Sequence, residues 1–143
     1  MTDPTPVPAI AMSDTDYRIL ARFRFALRVF LRFSEEAARA AGMTPAQHQL
    51  LLAVRGFPDG PPTISDLAHW LQLRHHSTVE LIDRAVEADL LVRHGDQVDR
   101  RRQRLVLTDR GEQVLASLSA AHKEELRRFR TEMADVLAEL QEQ

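Results

Sequence analysis

Residues 99–111 read DRRRQRLVLTDRG. Four arginines crowd into the five positions from Arg100 to Arg104, and Leu105-Val106-Leu107 then turn the segment apolar. A short β-prone run ending on Thr108, a residue type that caps helices, reads as a strand leading into a helix. Alternate side chains of an extended segment share a face. Arg100, Arg102 and Arg104 are therefore expected on one face, and Arg101 and Gln103 on the other with Leu105 and Leu107, which pack inward. Charge then sits at the distal end of the segment and hydrophobic anchoring at its root.

Working outward, Leu90-Leu91-Val92 form a second apolar run, and Gly95 and Asp96 supply turn formers between the two. That pattern predicts a β-hairpin. Beyond Thr108, Leu115, Leu118, His122, Leu126, Phe129, Met133, Val136 and Leu140 alternate spacings of three and four, which predicts a long helix whose seam needs a partner helix. His122 falls within that seam as a packed or interhelically bonded residue.

Before the hairpin, Thr63 with Asp66 resembles a capping box, and Ile64, Leu67, Ala68 and Leu71 follow at i, i+3, i+4 and i+7. After a polar break from Gln72 to His76, Ser77 with Glu80 looks like a second box, opening a helix with Val79, Ile82 and Val86 inward, joined by Leu81 and Ala85. Two short helices joined by a few residues make a helix-turn-helix. Upstream, Thr44-Pro45 caps a helix with Leu50, Leu51 and Val54 inward, and Gly56, Pro58, Gly60, Pro61 and Pro62 form a loop. From Ser13 or Asp14 to about Ala41, Tyr17, Leu20, Phe23, Leu27, Phe30, Leu31, Ser34 and Ala38 mark a first long helix, ended by Gly42. Residues 1–12, with Pro4, Pro6 and Pro8, are expected to form a flexible tail.

The fold class is therefore mainly α with a small β-hairpin wing: one domain over residues 13–143, with long helices over 13–42 and 109–143. Between them lies a lobe over 44–108, with the helix-turn-helix at 63–89 and the wing at 90–108. A length of 143 residues with 44% hydrophobic content suits a single core. No apolar run reaches the length of a membrane span, and MTDPTPVPAIAMSD has neither the positive start nor the apolar core of a signal peptide, so the cytoplasm is expected. The absence of cysteine removes disulfides, thiolate-bound zinc and thiol redox chemistry. With 21 acidic and 19 basic residues there is no global pull toward nucleic acid, so any such binding must come from local placement of charge. No cofactor is implied. Neither a phosphate-cradling glycine loop, a metal-ligand spacing nor a nucleophile arrangement is visible, and no enzyme activity is expected.

A helix-turn-helix followed by a wing is a DNA-reading architecture, with the second helix in the major groove and the hairpin along the backbone or in the minor groove. Arginine suits that position, because its planar guanidinium bonds phosphate bidentately and is weakly hydrated. Asp99-Arg100-Arg101, followed by Leu105-x-Leu107-Thr108-x-x-Gly111, resembles the wing signature of the MarR (multiple antibiotic resistance regulator) family. Leu67-Ala68-x-x-Leu71-x-Leu73 and Asp83-Arg84 match its helix-turn-helix spacing, and the resemblance extends over about residues 14–140. It implies a homodimeric winged-helix regulator whose first and last helices interlock. It also implies that Arg101 enters the minor groove and that Asp99 orients the wing by pairing with an arginine. One departure is visible: Ser77-Thr78-Val79 stands one residue later than the family's usual opening of the recognition helix.

The residues expected at DNA are Arg74, His75, His76, Ser77 and Thr78 at the start of the recognition helix, Arg84 further along it, and Asp99, Arg100, Arg101, Arg102 and Arg104 on the wing. The adjacent His75-His76 side chains point about 100° apart on a helix and do not make a metal site, so no metal is expected. The family resemblance further implies a pocket for a small aromatic or phenolic acid between the long helices and the lobe, with Arg18, Arg22, His48 and Trp70 as candidates to line it. The functional expectation is a ligand-responsive repressor acting as a homodimer on a pseudo-palindromic operator. The alternative is a helical dimer that uses the winged lobe for protein contact.

Overall fold

The computed structural model describes residues 10–95, 98–99 and 102–141. The elements follow the order α1 (Asp14–Ala40), α2 (Pro45–Gly56), α3 (Ile64–Leu71), α4 (His75–Glu87), β1 (Leu91–Gly95), β2 (Gln103–Leu107) and α5 (Asp109–Gln141). Of the expected tail, only residues 10–12 are among those described. No helix among the described residues is long and apolar enough to cross a membrane.

Helix starts follow local chemistry. Ser13 with Asp16, Thr44 with Gln47 and Thr63 with Asp66 each form a reciprocal capping box, satisfying two backbone donors that the first turn leaves without helical partners. Helix ends repeat one motif: Met43 N–H donates to Ala38, Leu73 N–H to Ala68 and Leu90 N–H to Ala85, with Gly42, Gln72 and Asp89 at positive φ just before each donor. Glycine takes that conformation without strain at Gly42, whereas Gln72 and Asp89 adopt it as residues with a Cβ.

α4 departs from the sequence expectation at its start. It begins at His75 with Arg74 as N-cap, and no side chain caps it. Ser77 is thus inside the first turn and not a cap. Thr78, one residue on, is fully buried, and its hydroxyl donates to the Arg74 carbonyl at 2.9 Å.

The lobe's core joins Leu50, Leu51 and Val54 of α2, Leu67 of α3, Ile82 and Ala85 of α4, Leu91, Leu105 and Leu107 of the hairpin, and Leu115 and Leu118 of α5. β1 and β2 pair antiparallel, with Leu91 opposite Leu107 and Arg93 opposite Leu105. The proline loop adds a third partner to this small sheet: Thr63 bridges to Arg104, and the Pro62 carbonyl accepts from Leu105 N–H at 2.9 Å. Proline has no N–H but keeps a carbonyl, so it can serve such an edge as acceptor only.

The two long helices pack on each other within one chain. Phe30 of α1 lies 5.2 Å from Phe129 of α5, centroid to centroid, and Arg22 of α1 pairs with Glu139 of α5. The partner helix that the α5 seam needs is thus in part the chain's own first helix. Tyr17, Leu20 and Phe23 of α1 and Leu126, Leu137 and Leu140 of α5 remain exposed.

Candidate nucleic-acid interface

Three elements converge on one cleft. It is lined by Thr63, Ile64 and Ser65 at the start of α3, His75 at the start of α4, and Arg102 and Gln103 at the start of β2, and holds about 260 Å³. The connection that aims α4 here is short, because Gln72 at φ 55° turns the chain sharply between Leu71 and His75. Arg74, His75 and His76 are exposed, and Ser77 is half-buried. With no side chain capping α4, its first N–H groups are left for water or an anion, and the positive end of the helix dipole adds to their attraction.

The wing is held by pairs that differ in position. Arg93 of β1 pairs with Asp83 of α4, which fixes the hairpin against the second helix of the helix-turn-helix. At the distal end Arg102 N–H donates to the Asp99 carbonyl at 3.0 Å, and both side chains are exposed. Arg100 and Arg101 lie outside the described residues. Arg84 is exposed on α4, two turns beyond the helix start.

One sequence expectation is corrected. Thr78 turns into the core with its hydroxyl already bonded, so its side chain is not presented to a groove. Arg104 is half-buried and its guanidinium donates to the Pro61 carbonyl at 2.7 Å, which braces the root of the wing. Ser65 and Gln103 are at the cleft although sequence reading passed over them. The capping box marked where α3 starts, but nothing local in the sequence says that this start faces the wing.

The four residues expected around an effector are dispersed. Arg22 pairs with Glu139 along the long helices, and Arg18 is exposed. His48 is buried against His122, with ring centroids 4.8 Å apart. Trp70, 53% exposed, stacks edge-on with Phe57 at 5.5 Å. Trp70 borders a cleft of about 430 Å³ with Gln49, Leu52 and Leu71, and among the described residues none of the other three lines it.

Comparison with known proteins agrees with this architecture. Residues 41–102 match the model of the MarR family. Sequence comparison with curated proteins gives no match. Among solved structures the chain is similar to AbsC, a MarR family transcriptional regulator from Streptomyces coelicolor. It is 21% identical, over 94% of this chain and 92% of that one, with a TM-score of 0.74. It is also similar to the S. aureus MepR–DNA complex, at 19% identity over 86% and 93% of the two chains with a TM-score of 0.68. The transcriptional regulator Tm0710 from Thermotoga maritima is 25% identical over 91% and 92%, with a TM-score of 0.59. Residues 41–102 are thus similar to the MarR family, and the chain has the winged-helix fold of these regulators.

Proposed function

We propose, from the premise of a segment similar to the MarR family within a MarR-type winged-helix fold, that this chain is a DNA-binding transcriptional regulator that represses as a homodimer. The observation that carries the reading is the convergence of the uncapped α4 start, the α3 start and the Arg102 end of the wing on one cleft. Arg74, His75, His76 and Ser77 would meet the major groove and its flanking phosphates, with Arg84 on the backbone. Arg101 would enter the minor groove, with Asp99 orienting the wing and Arg100 and Arg102 on phosphates.

The exposed apolar residues Tyr17, Leu20, Phe23, Leu137 and Leu140 favour a second copy of the chain along the long helices. A two-fold dimer would present two recognition helices to a pseudo-palindromic operator with half-sites about one helical turn apart. A small aromatic acid bound between the long helices and the lobe would act by changing the spacing of those helices. A difference of a few kcal/mol in its affinity for the two arrangements suffices to release DNA.

The test is selection of bound fragments from the source genome, followed by titration of a selected fragment at several salt concentrations. A steep loss of affinity with salt, and a large loss in the Arg101→Ala, Arg102→Ala double variant at fixed salt, are expected. Unchanged affinity in that variant would overturn the reading of the wing.

A further inference from the structure

α2 closes the lobe's core with one face and turns His48 toward the long helices with another. His48 is 5% exposed, and its ring stands 4.8 Å from that of His122 on α5, with the planes inclined by 48°. His122 in turn reaches the Leu118 carbonyl through Nδ1 at 2.7 Å and the Ser34 hydroxyl of α1 through Nε2 at 2.8 Å. Phe33 stands edge-on to the same ring at 5.4 Å. One imidazole pair therefore joins the first helix of the lobe to both long helices.

The two rings differ in how they can take a proton. A carbonyl only accepts, so Nδ1 of His122 carries hydrogen, and in the neutral ring Nε2 accepts from the Ser34 hydroxyl. A hydroxyl also accepts, so a protonated His122 donates through Nε2 and keeps both bonds. For His48, burial first and the charge of His122 second hold the pKa below the usual 6.5. Among the described residues, the charges that α2 and α5 bring together elsewhere are paired, Arg55 with Glu112 at 3.0 Å; at the imidazole pair α1 offers Phe30, Phe33 and Ser34, and α3, α4 and the hairpin contribute Leu67, Ile82, Ala85, Leu105 and Leu107 to the core. On α5, Glu125 three residues beyond His122 is buried, and its carboxylate is paired with Arg128 at 3.2 Å.

We propose that His48 and His122 form a proton-sensitive latch that holds the lobe on the long helices at neutral pH and releases it on acidification. Packed against His122, the His48 ring holds its proton less readily than a hydrated ring does. Because His48 is lowered, its contribution is fully present above about pH 6.5 and is lost as pH falls below it. The packed-to-released ratio then falls by up to about tenfold per pH unit until the lowered value is passed. In a chain that binds DNA this latch is a proton input to the spacing of the recognition helices.

Three measurements on the full chain test the latch, and none uses DNA, so its failure is distinct from failure of the DNA-binding reading. NMR of the histidine rings should show His48 titrating below pH 6.5; a midpoint at or above that value overturns the proposal. The melting midpoint of the wild-type chain should fall further between pH 7.5 and 5.5 than that of His48→Leu, and equal falls overturn it. The chain has no cysteine, so spin labels can be placed at Gln49→Cys on α2 and Lys123→Cys on α5, with the labelled protein diluted into unlabelled chain. The label separation should lengthen on acidification in the otherwise wild-type chain. A constant separation from pH 7.5 to 5.5 overturns the latch even where His48→Leu fails to fold.

Discussion

Gly111 and the carbonyl of Leu90 meet where no side chain fits: a Cβ on Gly111 would lie 2.2 Å from the Leu90 oxygen. The same junction is tied by Thr108, whose hydroxyl donates to the Asp89 carbonyl at 2.6 Å and accepts from Gly111 N–H at 3.0 Å. Thr108 N–H also donates to Leu90 at 3.1 Å. The Leu-Thr-x-x-Gly pattern is thus the place where the end of α4, the root of the wing and the start of α5 lock together. Gly111→Ala should lower stability by about 1–3 kcal/mol, because the obstacle is backbone and cannot swing aside. Chemical denaturation checks this, and an unchanged midpoint would show that the junction can open freely.

Thr108→Ala removes the cap of α5 and the bond to Asp89 together. A loss of about 1–2 kcal/mol is expected, with most of it restored in Thr108→Ser, which keeps the hydroxyl. Equal losses in both variants would mean that the threonine methyl, not the hydrogen bonds, matters at this position.

Thr78 and its exposed neighbours should separate stability from DNA affinity. Thr78→Val keeps the shape and loses the bond to Arg74, costing about 1 kcal/mol of stability and leaving affinity for a selected genomic fragment unchanged. His76→Ala should do the reverse, weakening binding by about 1–3 kcal/mol while the melting midpoint holds. A Thr78→Val protein of full stability that no longer binds DNA would place this side chain in the groove after all.

Arg102 and Arg104 are two residues apart and should behave differently. Arg102→Ala is expected to reduce the salt dependence of fragment binding by about one phosphate contact without affecting folding. Arg104→Ala should destabilise the wing by about 1 kcal/mol through loss of the Pro61 bond. Binding isotherms over a salt series and paired melting curves distinguish the two.

Charging the exposed stripe of the long helices tests assembly. Leu20→Glu with Leu137→Glu should give monomers in sedimentation velocity, since both residues are exposed in the single chain. Phe129 is unsuited to this purpose because its ring already packs on Phe30 within the chain. A double variant that remains dimeric would locate the contact elsewhere.

The amino-acid sequence by itself determined the helices and the hairpin, because each is written in short-range chemistry. Capping boxes at Ser13, Thr44 and Thr63 and the glycine at 42 set boundaries within one turn, and the alternation of Leu105 and Leu107 set the buried face of the wing. What only the tertiary structure decided is what each side chain meets. Ser77 looked like a cap, yet α4 starts at His75, because Leu73 N–H closes on Ala68 and the chain re-enters a helix directly afterwards. Arg104 reads like its neighbours in sequence, but the proline loop passes beside it and takes its guanidinium. His48 and His122 stand 74 positions apart in the chain and share no pattern that would pair them. Their contact exists because α2 is packed against α5 by a core that local propensity does not specify, and long-range packing sets such distances.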